Sequence, residues 1–179
     1  MTEEQKYFLK SGGIFACWKP YCVATVLGSG VAVCLCDPVA RVGGVSHFTL
    51  PQDETAKKSW FNPKTKSKDK RKYMTYYGEN SIPHLLQMMY KMGATSRNIG
   101  AHIVGGSFDG RYSTRNVGKK NVEFAKKFLK KNKIEIVNED TSGFWGRKLL
   151  FNTVNGEIIV YKVRNIRNSD WHGESRVVS

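Results

Sequence analysis

No run of this 179-residue chain approaches the ~20 consecutive apolar residues that cross a bilayer as a helix, so no membrane insertion is expected. The opening MTEEQKYFLKSGG lacks the basic-then-apolar plan of a secretion signal, which makes the cytoplasm the expected compartment. Cysteine is scarce. Cys17, Cys22, Cys34 and Cys36 follow no common zinc spacing, and without a secretion signal they read as reduced thiols. Neither a metal nor a cofactor is expected. No internal repeat is present, which removes solenoids and propellers. Acidic residues are also few, 15 Asp+Glu against 29 Lys+Arg, giving a formal net charge of +14. Such an excess favours acidic or polyanionic partners. Much of it lies in residues 57–72, KKSWFNPKTKSKDKRK, whose single acid is Asp69, and from Lys119 to Lys133. A solvated loop and a solvated helix face are the plain readings of these two groups.

What is present suits one domain with its own core. Residues 1–13 read as a polar, loosely docked N-terminal segment, and 164–179 as a basic peripheral tail. Between them, short apolar runs predict strands at Gly13–Cys17, Val23–Leu27, Val31–Cys36, Gly43–Leu50, Ile99–Val104 and Lys133–Val137. Lys148–Thr153 and Glu157–Val163 flank Asn155-Gly156, a strong hairpin signal. Two helices are expected. Ile82, Leu85, Leu86 and Met89 fall at helical spacing within Ser81–Met92, with Asn80 or Ser81 as cap, Pro83 in the first turn and Gly93 at the end. Val122, Ala125, Phe128 and Leu129 form one face of Lys119–Lys131. The segment 52–72 reads as an exposed loop insertion. Two helices against many strands give an α+β layered sandwich.

The most informative stretch is Val23–Pro51. Its two apolar runs form an antiparallel hairpin when the turn lies near Pro38–Arg41, and paired positions then sum to 78 or 79. His47 falls opposite Val31 or Ala32, beside the Gly28-Ser29-Gly30 corner. Neighbouring strands lie ~5 Å apart, so an imidazole there can reach a group at position 30. Position 30 carries no side chain. Cys34 and Cys36 share its face but lie roughly 13 and 20 Å further along the strand. Ser29 should point the opposite way. The remaining histidines, His84, His102 and His172, read as surface or structural.

Five collinear blocks, LGSGVAVCLCDP (27–38), GGVSHFTLP (43–51), HIVGGS (102–107), NVGKKNVEFAKKFL (116–129) and EDTSGFWGRKLLFNTVNGEIIVYKV (139–163), carry a resemblance. The chain resembles the chemoreceptor glutamine deamidase (CheD) family of bacterial chemotaxis over about residues 14–163. The resemblance implies a layered α/β sandwich with mixed β-sheets. It also implies hydrolysis of receptor glutamine side-chain amides to glutamate and ammonia by a cysteine nucleophile, a histidine base and an orienting threonine. An unreactive carboxamide needs such an activated thiolate and donors for its oxyanion. The histidine matches His47 and the cysteine position is Gly30. The threonine matches Thr25, with Ala24 at the position one residue earlier that some members use. Gly28, Ser29 and Gly44 are the expected binding positions. Because Gly30 replaces the cysteine, the chain as written is expected to lack the deamidase reaction. The implied partners are methyl-accepting chemoreceptors and a CheC-type phosphatase. A non-catalytic binding protein and, less favoured, nucleic-acid binding through 57–72 with Trp60, Phe61 and Tyr73 are the competing readings.

Overall fold

β4 (Val31–Asp37) is the strand around which the layers are arranged, and every one of its residues is buried. A computed structural model describes residues 5–52, 74–111 and 113–171. The basic run 57–72 and its aromatic residues lie outside the described residues, as does His172. β4 pairs antiparallel on one side with β5 (Val42–Phe48) and on the other with β6 (Gly100–Gly105). The five-stranded sheet is completed by β2 (Ile14–Cys17), antiparallel to β5, and β7 (Glu135–Thr141), parallel to β6. A second, four-stranded sheet holds β1 (Gln5–Phe8), β3 (Tyr21–Leu27), β8 (Gly146–Asn152) and β9 (Ile158–Val163) in the order β1-β3-β8-β9. Both sheets are mixed, because β1 runs parallel to β3 and β3 antiparallel to β8. The fold is α+β, as the sequence implies.

The period-two alternation of a strand explains the uninterrupted apolar run of β4. Val31, Val33 and Leu35 face two helices, α1 (Gly78–Lys91) and α2 (Val117–Lys131). Ala32, Cys34 and Cys36 face the second sheet, together with Val23, Leu27, Leu149 and Phe151. Small residues on that face let the sheets approach. Each large aliphatic side chain buried in these layers contributes roughly 1.5–3 kcal/mol relative to exposure. The β4–β5 register sums to 79, and Ala32 stands opposite His47. Asn155-Gly156 lies in the β8–β9 connection, where Gly156 has φ +74 and its N–H donates to Asn152 O.

Two local expectations change. The segment before residue 12 is not loose throughout: Gln5–Phe8 is an edge strand, and Leu9 is buried in the inter-sheet core. An edge strand tolerates the polar residues that suggested fraying, since its pairing is backbone to backbone. α1 starts at Gly78, three residues before the expected Ser81, and Pro83 lies inside it. Its first N–H groups need no side-chain cap, because Gly78 and Glu79 donate to Leu50 O and Pro51 O. Beyond β9, Ile166 packs over Gly146, and Lys148 donates to Asp170 at 2.7 Å.

Both helices end in Schellman turns. Gly93 takes φ +96, its N–H donates to Tyr90 O and that of Ala94 to Met89 O. α2 closes in the same way, with Lys133 and Ile134 donating to Lys130 O and Leu129 O, but there the left-handed residue is Lys133, at φ 57. A side chain in that region costs ~1 kcal/mol or more. Lys133→Gly is therefore expected to raise stability by about 0.5–1 kcal/mol, and Lys127→Gly, one turn inside the helix end, to lower it by about 1 kcal/mol. Urea unfolding of both variants reads the opposite signs.

Candidate active site

The corner at residues 28–30 is held by its carbonyls. Gly28 O accepts from Ser107 N at 2.9 Å and Gly30 O from Gly106 N at 2.8 Å. Ser29 O accepts from the Asn121 side-chain amide at 3.0 Å. The same amide donates to Thr49 O at 2.9 Å, so α2 clamps the corner to the end of β5. Close approach requires Gly105, since a Cβ there would collide with the Gly30 carbonyl. The corner's backbone is thus fixed in place by three neighbouring segments.

His47 projects from β5 into the space between the sheets and is 1% exposed. Thr25, also 1% exposed, meets it from β3 of the opposite sheet. Thr25 shares a face with Val23 and Leu27 of the inter-sheet core, so the adjacent Ala24 faces away from His47. Thr25 Oγ1 donates to Leu9 O at 2.7 Å and lies 3.0 Å from His47 Nδ1. A hydroxyl has one proton. With that proton given to Leu9 O, the Thr25 oxygen can only accept, so His47 carries its proton on Nδ1 and leaves Nε2 as a bare lone pair. Burial pushes the imidazole pKa down to about 4, which keeps it neutral.

Nε2 faces position 30. A Cβ placed on Gly30 would stand 2.8 Å from it and 3.1 Å from Phe48 O. Gly30 does not have the left-handed backbone that excludes side chains, so a substitution there requires a retreat of the ring and a smaller shift of the Phe48 carbonyl. Ser11 Oγ also lies 3.3 Å from Nε2.

Of the residues singled out by sequence, Thr25, His47 and Gly30 come together. Gly28 and Ser29 form the pinned corner, with Ser29 exposed. Gly44 does not reach the site: its missing Cβ makes room for Leu85 of α1 and the Phe15 carbonyl. Cys34 and Cys36 are free thiols in the inter-sheet layer. Burial pushes both thiol pKa values up, that of Cys36 to about 11 with the nearby Asp37 adding to the rise. Neither supplies a thiolate at neutral pH. Three contributors were missed: Ser11, the Leu9 carbonyl and Asn121. Asn121 had a readable signal, because it is a polar residue on the buried stripe that carries Val122, Ala125 and Leu129. Ser11 and Leu9 had none, since they sit at the end of a segment whose composition looks peripheral.

A family model described as CheD chemotactic sensory transduction matches residues 61–162. The chain is 35% identical over 151 residues to "Probable chemoreceptor glutamine deamidase CheD 1" of Anaeromyxobacter dehalogenans, covering 83% of this chain and 80% of that protein. It is 34% identical over 156 residues to "Probable chemoreceptor glutamine deamidase CheD" of Methanococcus maripaludis, covering 86% and 93%. The protein of that same name from Sulfurimonas denitrificans is 30% identical over 165 residues, covering 90% and 97%.

The state of His47 has a consequence for stability. Its pKa is about 4 when folded, below the ~6.5 of an unfolded histidine. Between these values the unfolded chain takes up a proton that the folded chain refuses, so stability rises with pH. The contribution is complete above the unfolded value and is lost as pH falls toward the folded one. It amounts to about 3 kcal/mol between roughly pH 7 and pH 4. Urea unfolding across that range should show His47→Gln losing about 3 kcal/mol less stability on acidification than the unsubstituted protein.

Proposed function

The chain belongs to the CheD chemotactic family, and from that premise we propose that it is a chemoreceptor glutamine deamidase framework in which Gly30 occupies the place of the nucleophilic cysteine. The observation that carries this reading is the position of His47 Nε2, 2.8 Å from where a side chain at position 30 would begin. A base is in place, correctly tautomerised, facing a residue that has nothing to deprotonate. As it stands, position 30 offers no thiol with which to open a carboxamide.

With a cysteine at position 30 the chemistry would close. The thiol proton passes to Nε2 and the sulfur attacks the glutamine side-chain carbon. The protonated imidazole returns its proton to the departing ammonia. Water, deprotonated by Nε2, then hydrolyses the thioester to release glutamate and regenerate the thiol. Thr25 holds the ring throughout: its hydroxyl takes the Nδ1 proton as a hydrogen bond and passes its own to Leu9 O. No cofactor enters these steps.

The second reading, a non-catalytic regulator that engages chemoreceptors or a CheC-type phosphatase, is favoured by Gly30 itself. A binding role needs the surface and not the nucleophile. The +14 charge suits an acidic partner and would speed its encounter.

Chemoreceptor cytoplasmic fragments incubated with Gly30→Cys should gain the mass of amide-to-acid conversion, while the unsubstituted chain leaves them unchanged. Adding His47→Ala to Gly30→Cys should slow conversion by ~10²–10⁴-fold. A folded Gly30→Cys protein that leaves every glutamine intact sinks the catalytic assignment. Retention of the same fragments by both proteins, weakened equally by salt, would then support the regulator.

A further inference from the structure

We propose that Ser11, His47 and Thr25 form a serine hydrolase triad, with Ser11 Oγ as a nucleophile toward activated carboxylic esters. The inference is independent of which protein substrate the family framework recognises.

The tautomer of His47 gives the Ser11 contact a direction. Because Thr25 must accept from Nδ1–H, Nε2 has no proton, and the hydroxyl 3.3 Å away can only donate to it. Ser11 Oγ–H pointing at the lone pair of Nε2, with Nδ1–H anchored on a third group, is the nucleophile–base–orienter relation that defines such triads. Here the orienter is a hydroxyl backed by a carbonyl. A carboxylate would hold the imidazolium more strongly, so the site suits substrates whose leaving groups depart readily.

The arrangement is built and not incidental. Ser11 stands in a turn closed by Gly13 N donating to Lys10 O at 2.9 Å. That turn is stitched to the backbone of the base itself, with Gly12 N donating to His47 O at 2.8 Å and His47 N to Gly13 O at 3.0 Å. Gly12 takes φ +75 and lies against the Tyr76 ring, where a Cβ would not fit. Nucleophile and base therefore move as one unit. Ser11 is half-buried and reaches solvent, while His47 is enclosed. Position 30, which would otherwise place a side chain against Nε2, leaves that nitrogen to Ser11.

The reaction balances without a co-reactant beyond water. Ser11 gives its proton to Nε2 as Oγ bonds to the ester carbon. The carbon–oxygen bond to the leaving group breaks, and that alkoxide or phenolate takes the proton from Nε2–H. Water adds to the acyl-serine, its proton passes to Nε2 and on to the departing Ser11 oxygen, and the acid is released.

A fluorophosphonate probe, which transfers its phosphonyl group to activated serines with loss of fluoride, tests this on the full chain. One adduct on Ser11 is expected by peptide mass spectrometry. It should be absent in Ser11→Ala and on the unfolded chain. His47→Gln, with unchanged circular dichroism, should form it at least ~10²-fold more slowly. The rate should rise with pH through one ionisation near 4 and then level. Thr25→Val should slow labelling and Thr25→Ser restore it, as a positioning residue requires. Hydrolysis of p-nitrophenyl acetate should fall to background in Ser11→Ala. No adduct at Ser11, or a labelling rate unaffected by His47→Gln, overturns the triad. Absence of a Ser11 adduct does not bear on deamidation by Gly30→Cys, which uses a different nucleophile and is read by a different mass change.

Discussion

A single proton on the Thr25 hydroxyl determines what this site can do. Given to Leu9 O, it forces the threonine oxygen to accept from His47 Nδ1, and that fixes Nε2 as a base. The chain of consequence depends on the two-sheet architecture. Thr25 and Leu9 belong to one sheet and its margin, His47 to the other, and the residues between them are small or close-packed. A threonine one residue earlier on β3 would face the other way, and the imidazole would lose its orienting partner. Burial completes the arrangement by keeping the ring neutral.

Much of this was legible in the sequence. The β4–β5 register followed to within one residue from the lengths of two apolar runs and the turn near Pro38–Arg41: His47 was expected opposite Val31 or Ala32, and it pairs with Ala32. Both helices were readable from their apolar spacing, and Gly93 from its position past the last buried residue. Residues joined by chain-distant packing were not legible. Ser11 lies 36 residues from His47 in sequence and meets it only because a β-turn before β2 is bonded back to β5. α1 began early for a similar reason: carbonyls at Leu50 and Pro51, not a capping side chain, satisfy its first turn. Gly44 was read as part of the site because it lies in the same motif as His47. The alternation of β5 sends it to the helical face, where α1 needs the room.

The glycines of this end of the molecule carry two different meanings. Gly105 is required by close approach to the corner, since no side chain fits against the Gly30 carbonyl. Gly30 is under a weaker constraint, for its backbone is not left-handed and the groups that stand close are the imidazole and, less tightly, the Phe48 carbonyl. A framework this complete around a position that needs no glycine is what supports reading Gly30 as the loss of a group and not as a turn requirement. Ser11 places its hydroxyl 3.3 Å from the same imidazole nitrogen.

Both proposals rest on the tautomer of one histidine, and that is directly measurable. Long-range proton–nitrogen correlation spectra of the unsubstituted protein, with His47 assigned through His47→Gln, report which ring nitrogen is protonated at neutral pH. The account predicts a neutral ring with its proton on Nδ1 and an unprotonated Nε2. A proton found on Nε2 would contradict it, because His47 could then act as base toward neither position 30 nor Ser11.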